Sequence, residues 1–100
     1  MLTAEVGLIG RDTLQSFARK HPDAGSSLRA RTQAIEVNSF RHFVDLRKTF
    51  GSADLVRPHT VFNISGNKYR LIALVNYMLQ AVAVEHVLTH AEYDLGRWRR

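Results

Sequence analysis

The stretch Thr60 to Arg70, TVFNISGNKYR, constrains the fold more than any other part of the chain. Val61 to Ile64 is a short run of apolar, β-forming residues, and a second apolar run begins at Tyr69. Between the two runs, Ser65-Gly66-Asn67 has the composition of a tight turn, because Gly adopts a positive φ without steric cost and Asn tolerates one. The pattern predicts a β-hairpin.

Two cations follow this turn at positions 68 and 70. Side chains alternate between the faces of a strand, so residues two positions apart point the same way, about 7 Å from each other at ~3.3 Å per residue. We therefore expect Lys68 and Arg70 to form a paired cationic site beside the turn.

Composition narrows the class of partner. Fourteen Lys and Arg stand against nine Asp and Glu, which gives a net charge of +5, and eleven of the fourteen cations are Arg. This balance favours a polyanionic partner, since the Arg guanidinium binds phosphate through two parallel hydrogen bonds. Cysteine is absent, which excludes disulfides, thiolate nucleophiles and thiolate metal sites and fits a reducing compartment.

The 100 residues predict one domain. Its apolar runs are much shorter than the roughly 20 residues of a membrane span, and the chain does not open with a signal-peptide pattern. We expect a cytoplasmic protein with no membrane partner.

Helical spacing dominates the first half of the chain. Glu5 to Ile9 predicts an edge strand, and Asp12 predicts the N-cap of a first helix that ends near Lys20. Asp23 or Ser26 is the expected cap of a second helix through Val37. A short apolar helical turn should follow and plug the core; its apolar residues are Phe40, Phe43, Val44 and Leu46.

Strand patterns dominate the second half. Tyr69 to Tyr77 and Ala81 to Leu88 read as antiparallel neighbours joined by a short turn, and a last short helix should begin at Thr89. The predicted fold class is α/β (α+β): two N-terminal helices packed on a small, mainly antiparallel sheet, with a short C-terminal helix.

The junction between the last strand and the last helix carries reactive side chains. Thr89 and Glu92 have capping-box spacing, and Leu88 and Tyr93 have the spacing of a hydrophobic staple. His90 lies in the first helical turn, where the positive helix end favours neutral imidazole, so it suits a general base or a phosphate ligand; ordering of the helix start explains it equally well. Tyr93 is either a proton donor or stacking surface, or a core anchor.

Three segments together resemble the HigB-type toxins of the RelE superfamily. They are FGSADLV at Phe50 to Val56, the hairpin TVFNISGNKYRLIA, and the junction VLTHAEYD. The resemblance covers most of the chain and implies a RelE-like fold over residues 1–100. It also implies metal-independent cleavage of translated mRNA on the ribosome, no cofactor, and a HigA-type helix-turn-helix antitoxin as partner.

The resemblance assigns candidate roles to the matching positions. The candidate catalytic residues are Lys68, Arg70, His90 and Tyr93, and the candidate RNA contacts in the hairpin are Asn63 and Asn67. In the basic tail, Arg97 and Arg99 with Trp98 either grip phosphate and stack on a base or form a frayed terminus. No metal ligand set is predicted, because His21, His42, His59 and His86 are scattered along the chain.

Some positions depart from the family pattern. Ser65 stands where many relatives carry Lys, Ala83 where an aromatic is usual, Glu85 where a cation is common, and His86 where an apolar or different residue is often seen. The loss of a cation and a stacking surface and the gain of an anion should weaken RNA binding. Two alternatives therefore stay open: a non-catalytic toxin of the same fold that inhibits another macromolecular target such as DNA gyrase, and a degenerate toxin retained for antitoxin binding.

Overall fold

The first half of the chain builds the helices. A computed structural model describes residues 7–99. It begins with strand β1 (Gly7–Ile9), followed by helix α1 (Arg11–Lys20), a 3-10 turn (Pro22–Ala24), helix α2 (Gly25–Glu36) and helix α3 (Phe43–Thr49). The predicted edge strand is confirmed for Gly7 to Ile9, while Glu5 and Val6 lie outside the described residues.

The second half builds most of the sheet. Strands β2 (Asp54–Val56), β3 (His59–Ile64), β4 (Tyr69–Asn76) and β5 (Ala81–Thr89) precede helix α4 (His90–Leu95) and a 3-10 turn (Arg97–Arg99). Within residues 7–99 the strands form one sheet in the order β1-β5-β4-β3-β2, in which the β1–β5 pair is parallel and the others are antiparallel. The predicted fold class is confirmed.

Two predicted caps are wrong. The residue before α1 is Gly10, in a left-handed conformation, and Asp12 lies in the first turn without capping it. The residue before α2 is Ala24, because the Pro22–Ala24 turn runs directly into the helix, and neither Asp23 nor Ser26 supplies a capping hydrogen bond.

The short helix after α2 has a cap that the sequence did not predict. The imidazole Nδ1 of His42 accepts a hydrogen bond from the Asp45 backbone N–H at 3.1 Å. Leu46 is fully buried, as expected of a core plug, whereas Val44 is exposed.

The sheet has two distinct faces. On the first, Phe62, Leu71 and other side chains of alternate residues pack against Leu14, Phe17 and Leu28 of the helices. The opposite face, here called the second face, carries a smaller cluster of Val61, Ile72 and Trp98. No helix among residues 7–99 has the length and apolar character of a membrane span.

Candidate functional site

The hairpin and the last helix meet because β4 and β5 are neighbours. In the register of these strands, Tyr69 lies opposite Thr89 and Arg70 lies opposite Leu88. The backbone N–H of His90 donates to the Lys68 carbonyl at 3.1 Å, which ties the start of α4 to the turn. The two segments that carry the candidate catalytic residues therefore form one site at this end of the second face.

Arg70 is the buried cation of this site, with 8% of the residue exposed. Its Nη1 donates to the carbonyl oxygens of Asn67 at 3.0 Å and Tyr69 at 3.1 Å, and its Nη2 donates to Asn67 Oδ1 at 2.6 Å. The guanidinium carbon lies 5.4 Å from the centre of the Tyr93 ring. A guanidinium has five N–H donors, so these three bonds leave two N–H groups without a partner in residues 7–99.

Lys68 does not share a direction with Arg70, and the predicted paired cationic site is wrong in this respect. Strand β4 begins at Tyr69, so Lys68 lies in the turn, outside the alternation of the strand. Its ammonium forms an ion pair with Asp23 and lies 5.5 Å from the centre of the Tyr69 ring, which packs in the helix-side core. The two cations therefore lie in different surroundings, Lys68 beside the helix-side core and Arg70 on the second face.

Asp23 also bonds to Tyr69, whose hydroxyl is 2.9 Å from both carboxylate oxygens. The hydrogen bond from Lys68 holds the pKa of Asp23 below its ordinary value, and the same bond raises the pKa of Lys68. Burial, together with the bond to Asp23, raises the pKa of Tyr69. All three groups keep their usual charge states at neutral pH, so the network fastens the hairpin turn to the 3-10 turn between α1 and α2.

The predicted capping box at the start of α4 is confirmed. Thr89 Oγ1 accepts from the Glu92 backbone N–H at 3.2 Å, and Glu92 Oε1 accepts from the Thr89 backbone N–H at 2.9 Å. Leu88 and Tyr93 both pack in the second-face cluster, as a hydrophobic staple requires. Thr89 and Glu92 thus fix the direction of α4 and the placement of His90 and Tyr93.

His90 forms a pair with the carboxylate of Asp94 that the sequence did not predict. Its Nδ1 lies 2.9 Å from Oδ2 of Asp94, one turn further along α4, and 46% of the His90 side chain is exposed. When Nδ1–H donates to this carboxylate, Nε2 is the acceptor nitrogen of the neutral ring. Helical i, i+4 spacing between His and Asp was the available signal.

Trp98 is buried, with only 4% exposed, so the alternative of a frayed, solvated terminus is wrong for Trp98. The indole stacks on Tyr93 with ring centres 5.1 Å apart and planes 13° apart, and its Nε1–H donates to the Tyr93 carbonyl at 2.9 Å. Arg97 and Arg99 beside it are exposed, and the Arg99 guanidinium lies 5.1 Å from the indole centre.

The two candidate RNA contacts of the hairpin, Asn63 and Asn67, lie close to Arg70. Asn63 is opposite Arg70 on β3, and its carbonyl oxygen accepts a hydrogen bond from Arg31 at 3.2 Å. The Asn67 side chain holds Arg70, and the positive φ of the turn falls on Ser65 and Gly66. The Asn67 side chain therefore has a structural role, whereas the described bond at Asn63 involves only its backbone carbonyl.

Glu85 occupies an irregular position on β5. A register shift against β4 between Ile72 and Ala73 leaves it as the extra residue, and its carboxylate is 4.0 Å from Nε2 of the buried His59. Within residues 7–99, no three His, Cys, Asp or Glu side chains are grouped closely enough to hold a metal ion.

Comparison with known proteins identifies the family. A model of the HigB toxin, the RelE-like toxic component of a toxin-antitoxin system, matches residues 24–96. The chain belongs to the HigB toxin family. The "mRNA interferase toxin HigB" of Escherichia coli K12 is 33% identical over 90 residues, covering 87% of this chain and 86% of that protein. The "mRNA interferase HigB" of Escherichia coli O6:H1 is 29% identical over 97 residues, covering 93% and 94% respectively. The matched region of the HigB family model contains Arg70, His90 and Tyr93.

Proposed function

We propose that this HigB family member is an mRNA interferase toxin of a type II toxin–antitoxin system, an endoribonuclease that acts in the cytoplasm on translated mRNA at the ribosome. The observation that carries the proposal is the convergence of Arg70, Tyr93 and the His90–Asp94 pair at one end of the second face. The names of the relatives, which are called mRNA interferases, support the same activity.

The scheme uses the substrate's own 2′-hydroxyl as nucleophile. His90 Nε2 accepts the proton of that hydroxyl, while Asp94 holds the opposite nitrogen and stabilises the imidazolium that forms. The 2′-oxygen bonds to phosphorus and the bond from phosphorus to the 5′-oxygen breaks. The products are a 2′,3′-cyclic phosphate and a free 5′-hydroxyl.

The other residues stabilise charge and complete the proton transfers. The free N–H groups of Arg70 are aimed at the negative charge of the pentavalent phosphorus centre. The Tyr93 hydroxyl donates a proton to the leaving 5′-oxygen, and the imidazolium of His90 then returns its proton through solvent to the Tyr93 phenolate. Lys68, already paired with Asp23, adds positive charge from the turn. Asn63 and Asn67 then line the RNA path, and Arg97 and Arg99 contact flanking phosphates.

The partners follow from the same proposal. A HigA-type helix-turn-helix antitoxin neutralises the toxin, and the mRNA is presented by the ribosome. The net charge of +5 suits both the RNA and an acidic surface on a protein partner.

A second candidate is a degenerate toxin retained for antitoxin binding. It is favoured by the burial of Arg70 and by the anion that Glu85 adds to the sheet.

Induced expression in bacteria with mapping of mRNA 5′ ends decides between the two. We expect new ends that carry a 5′-hydroxyl, and we expect these ends to disappear in Arg70→Ala and His90→Ala. Arg29→Ala is the matched control, because it removes an exposed cation on α2, away from the site. Growth arrest with intact transcripts would reject the nuclease, and full activity in both site variants would reject the residue assignment.

A further inference from the structure

Trp98 occupies an unusual position for the aromatic residue of a basic tail. It covers Val61 and Ile72 on the second face, stacks on Tyr93, and presents its ring to the edge of His59 at 5.5 Å and 79°. The proposed proton donor Tyr93 therefore has one aromatic surface already filled by the chain itself.

The groups around this indole are of the kinds that bind single-stranded RNA. The guanidinium carbon of Arg70 lies 5.4 Å from the centre of the Tyr93 ring, and the Tyr93 and Trp98 ring centres are 5.1 Å apart. The guanidinium carbon of Arg99 lies 5.1 Å from the centre of the Trp98 ring. Unpaired bases are bound by stacking on aromatic rings and on guanidinium planes. Trp98 thus contacts the Tyr93 ring and the Arg99 guanidinium. Arg70, the proposed phosphate-binding cation, contacts the same Tyr93 ring.

The tether that holds Trp98 in place is short. Gly96 ends α4 with φ +73°, and the 3-10 turn that follows has three residues. Two hydrogen bonds fasten it: Trp98 Nε1–H to the Tyr93 carbonyl, and Arg99 N–H to the Gly96 carbonyl at 3.2 Å. No strand of the described sheet runs through this segment, so it is joined to the second face by the packing of Trp98 and not by strand pairing.

We infer that the Tyr93 ring surface is a nucleobase subsite, and that Trp98 fills it in the free toxin and competes with the RNA. This inference rests on the proposed function. A base of the bound mRNA takes the position of the indole, and the displaced turn carries Arg97 and Arg99 to the flanking phosphates. The apparent affinity for RNA is then lowered by the fraction of molecules in which Trp98 is docked.

Gly96→Ala tests the competition while leaving the indole intact. A Cβ at position 96 would have no atom within 4 Å, so the substitution acts through the positive φ alone. Because a left-handed conformation costs Ala about 1–2 kcal/mol, the docked turn should become about five- to thirtyfold less populated relative to the released turn. Leu95→Ala is the control, since it removes an exposed side chain from the adjacent position.

Two measurements on the toxin are needed. Cleavage of a reporter mRNA is followed in a reconstituted translation mixture at limiting toxin, and acrylamide quenching reports the exposure of Trp98, the one Trp in the sequence. We expect Gly96→Ala to quench more readily and to cleave faster than the wild type, by at most about thirtyfold. Trp98→Ala should also cleave faster, and Leu95→Ala should match the wild type.

Other results overturn the inference. If Gly96→Ala exposes Trp98 and cleavage is unchanged or slower, the indole supports the site and does not compete with RNA. If Trp98 stays shielded in Gly96→Ala and the rate is unchanged, the turn is too firmly held to be displaced. Should Trp98→Ala fail to fold, Gly96→Ala still gives the answer. A wild-type chain that cuts no mRNA would reject the proposed function itself.

Discussion

Gly10→Ala should be among the most destabilising small substitutions in this chain. Gly10 joins β1 to α1 with φ +98°, and a Cβ placed there would be 2.7 Å from the backbone oxygen of Val84 and 3.2 Å from its Cβ. The left-handed conformation costs an Ala residue about 1–2 kcal/mol. Overlap with a packed neighbour adds about 1–3 kcal/mol, because the atom it meets belongs to the backbone of a central strand.

The expected loss is therefore about 2–5 kcal/mol of a total that is typically about 5–15 kcal/mol. Gly66→Ala is the matched control: its φ is +67°, but a Cβ there has no atom within 4 Å, so it should lose only the conformational part. Urea unfolding at equilibrium measures both, and each lost kcal/mol moves the midpoint by about 0.3–1 M. Equal losses in the two variants would refute the reasoning, since the contact with Val84 would then cost nothing.

Two further predictions concern the site. Thr89→Ala should lower the free energy of unfolding by about 1 kcal/mol in the same urea assay through loss of the capping box, whereas Thr89→Ser should retain most of it; equal losses would show that the hydroxyl does not cap α4. The Asp23–Lys68 bond predicts a pH effect. Because the folded-state pKa of Asp23 is below its ordinary value of 3.8, the stabilisation is present above that pH and is lost as the pH falls through the lower folded value. Thermal melts between about pH 2 and pH 5 should therefore show a smaller acid-induced loss for Asp23→Asn than for the wild type, and parallel losses would contradict the pairing.

Local chemistry made parts of the molecule predictable. The hairpin turn, the β4–β5 pair and the Thr89–Glu92 capping box are each formed by residues close in sequence. Local sequence patterns therefore predict them correctly. Strand β2 escaped prediction because Asp54–Val56 is too short to show alternation and is defined by its pairing with β3. The parallel contact of β1 with β5 joins residues more than seventy positions apart and leaves no local signal.

The site was predictable in outline and not in its contacts. The resemblance to the HigB family grouped Arg70, His90 and Tyr93 as candidates, and the pairing of β4 with β5 brings the segments that carry them to the same end of the sheet. The sequence predicted the wrong direction for the Lys68 side chain. Its carboxylate partner Asp23 lies 45 positions earlier, in a turn between two helices, whereas the sequence predicts Asp23 as a candidate helix cap. No sequence pattern revealed that Trp98 packs back onto the sheet, since Val61 and Ile72 are remote from it along the chain.

The strand order also determines when the molecule acquires its site during synthesis. β5 lies between β1 and β4, yet among the described strands it is the last to be translated, and α4 and the Trp98 turn follow it. Until residues 81–89 emerge, β1 has no partner and β4 has one open edge. A nascent chain therefore holds Arg70 without His90, Tyr93 or the strand that aligns them. The ribosome that makes this protein must therefore translate β5 and α4 before the chain can hold the proposed catalytic arrangement.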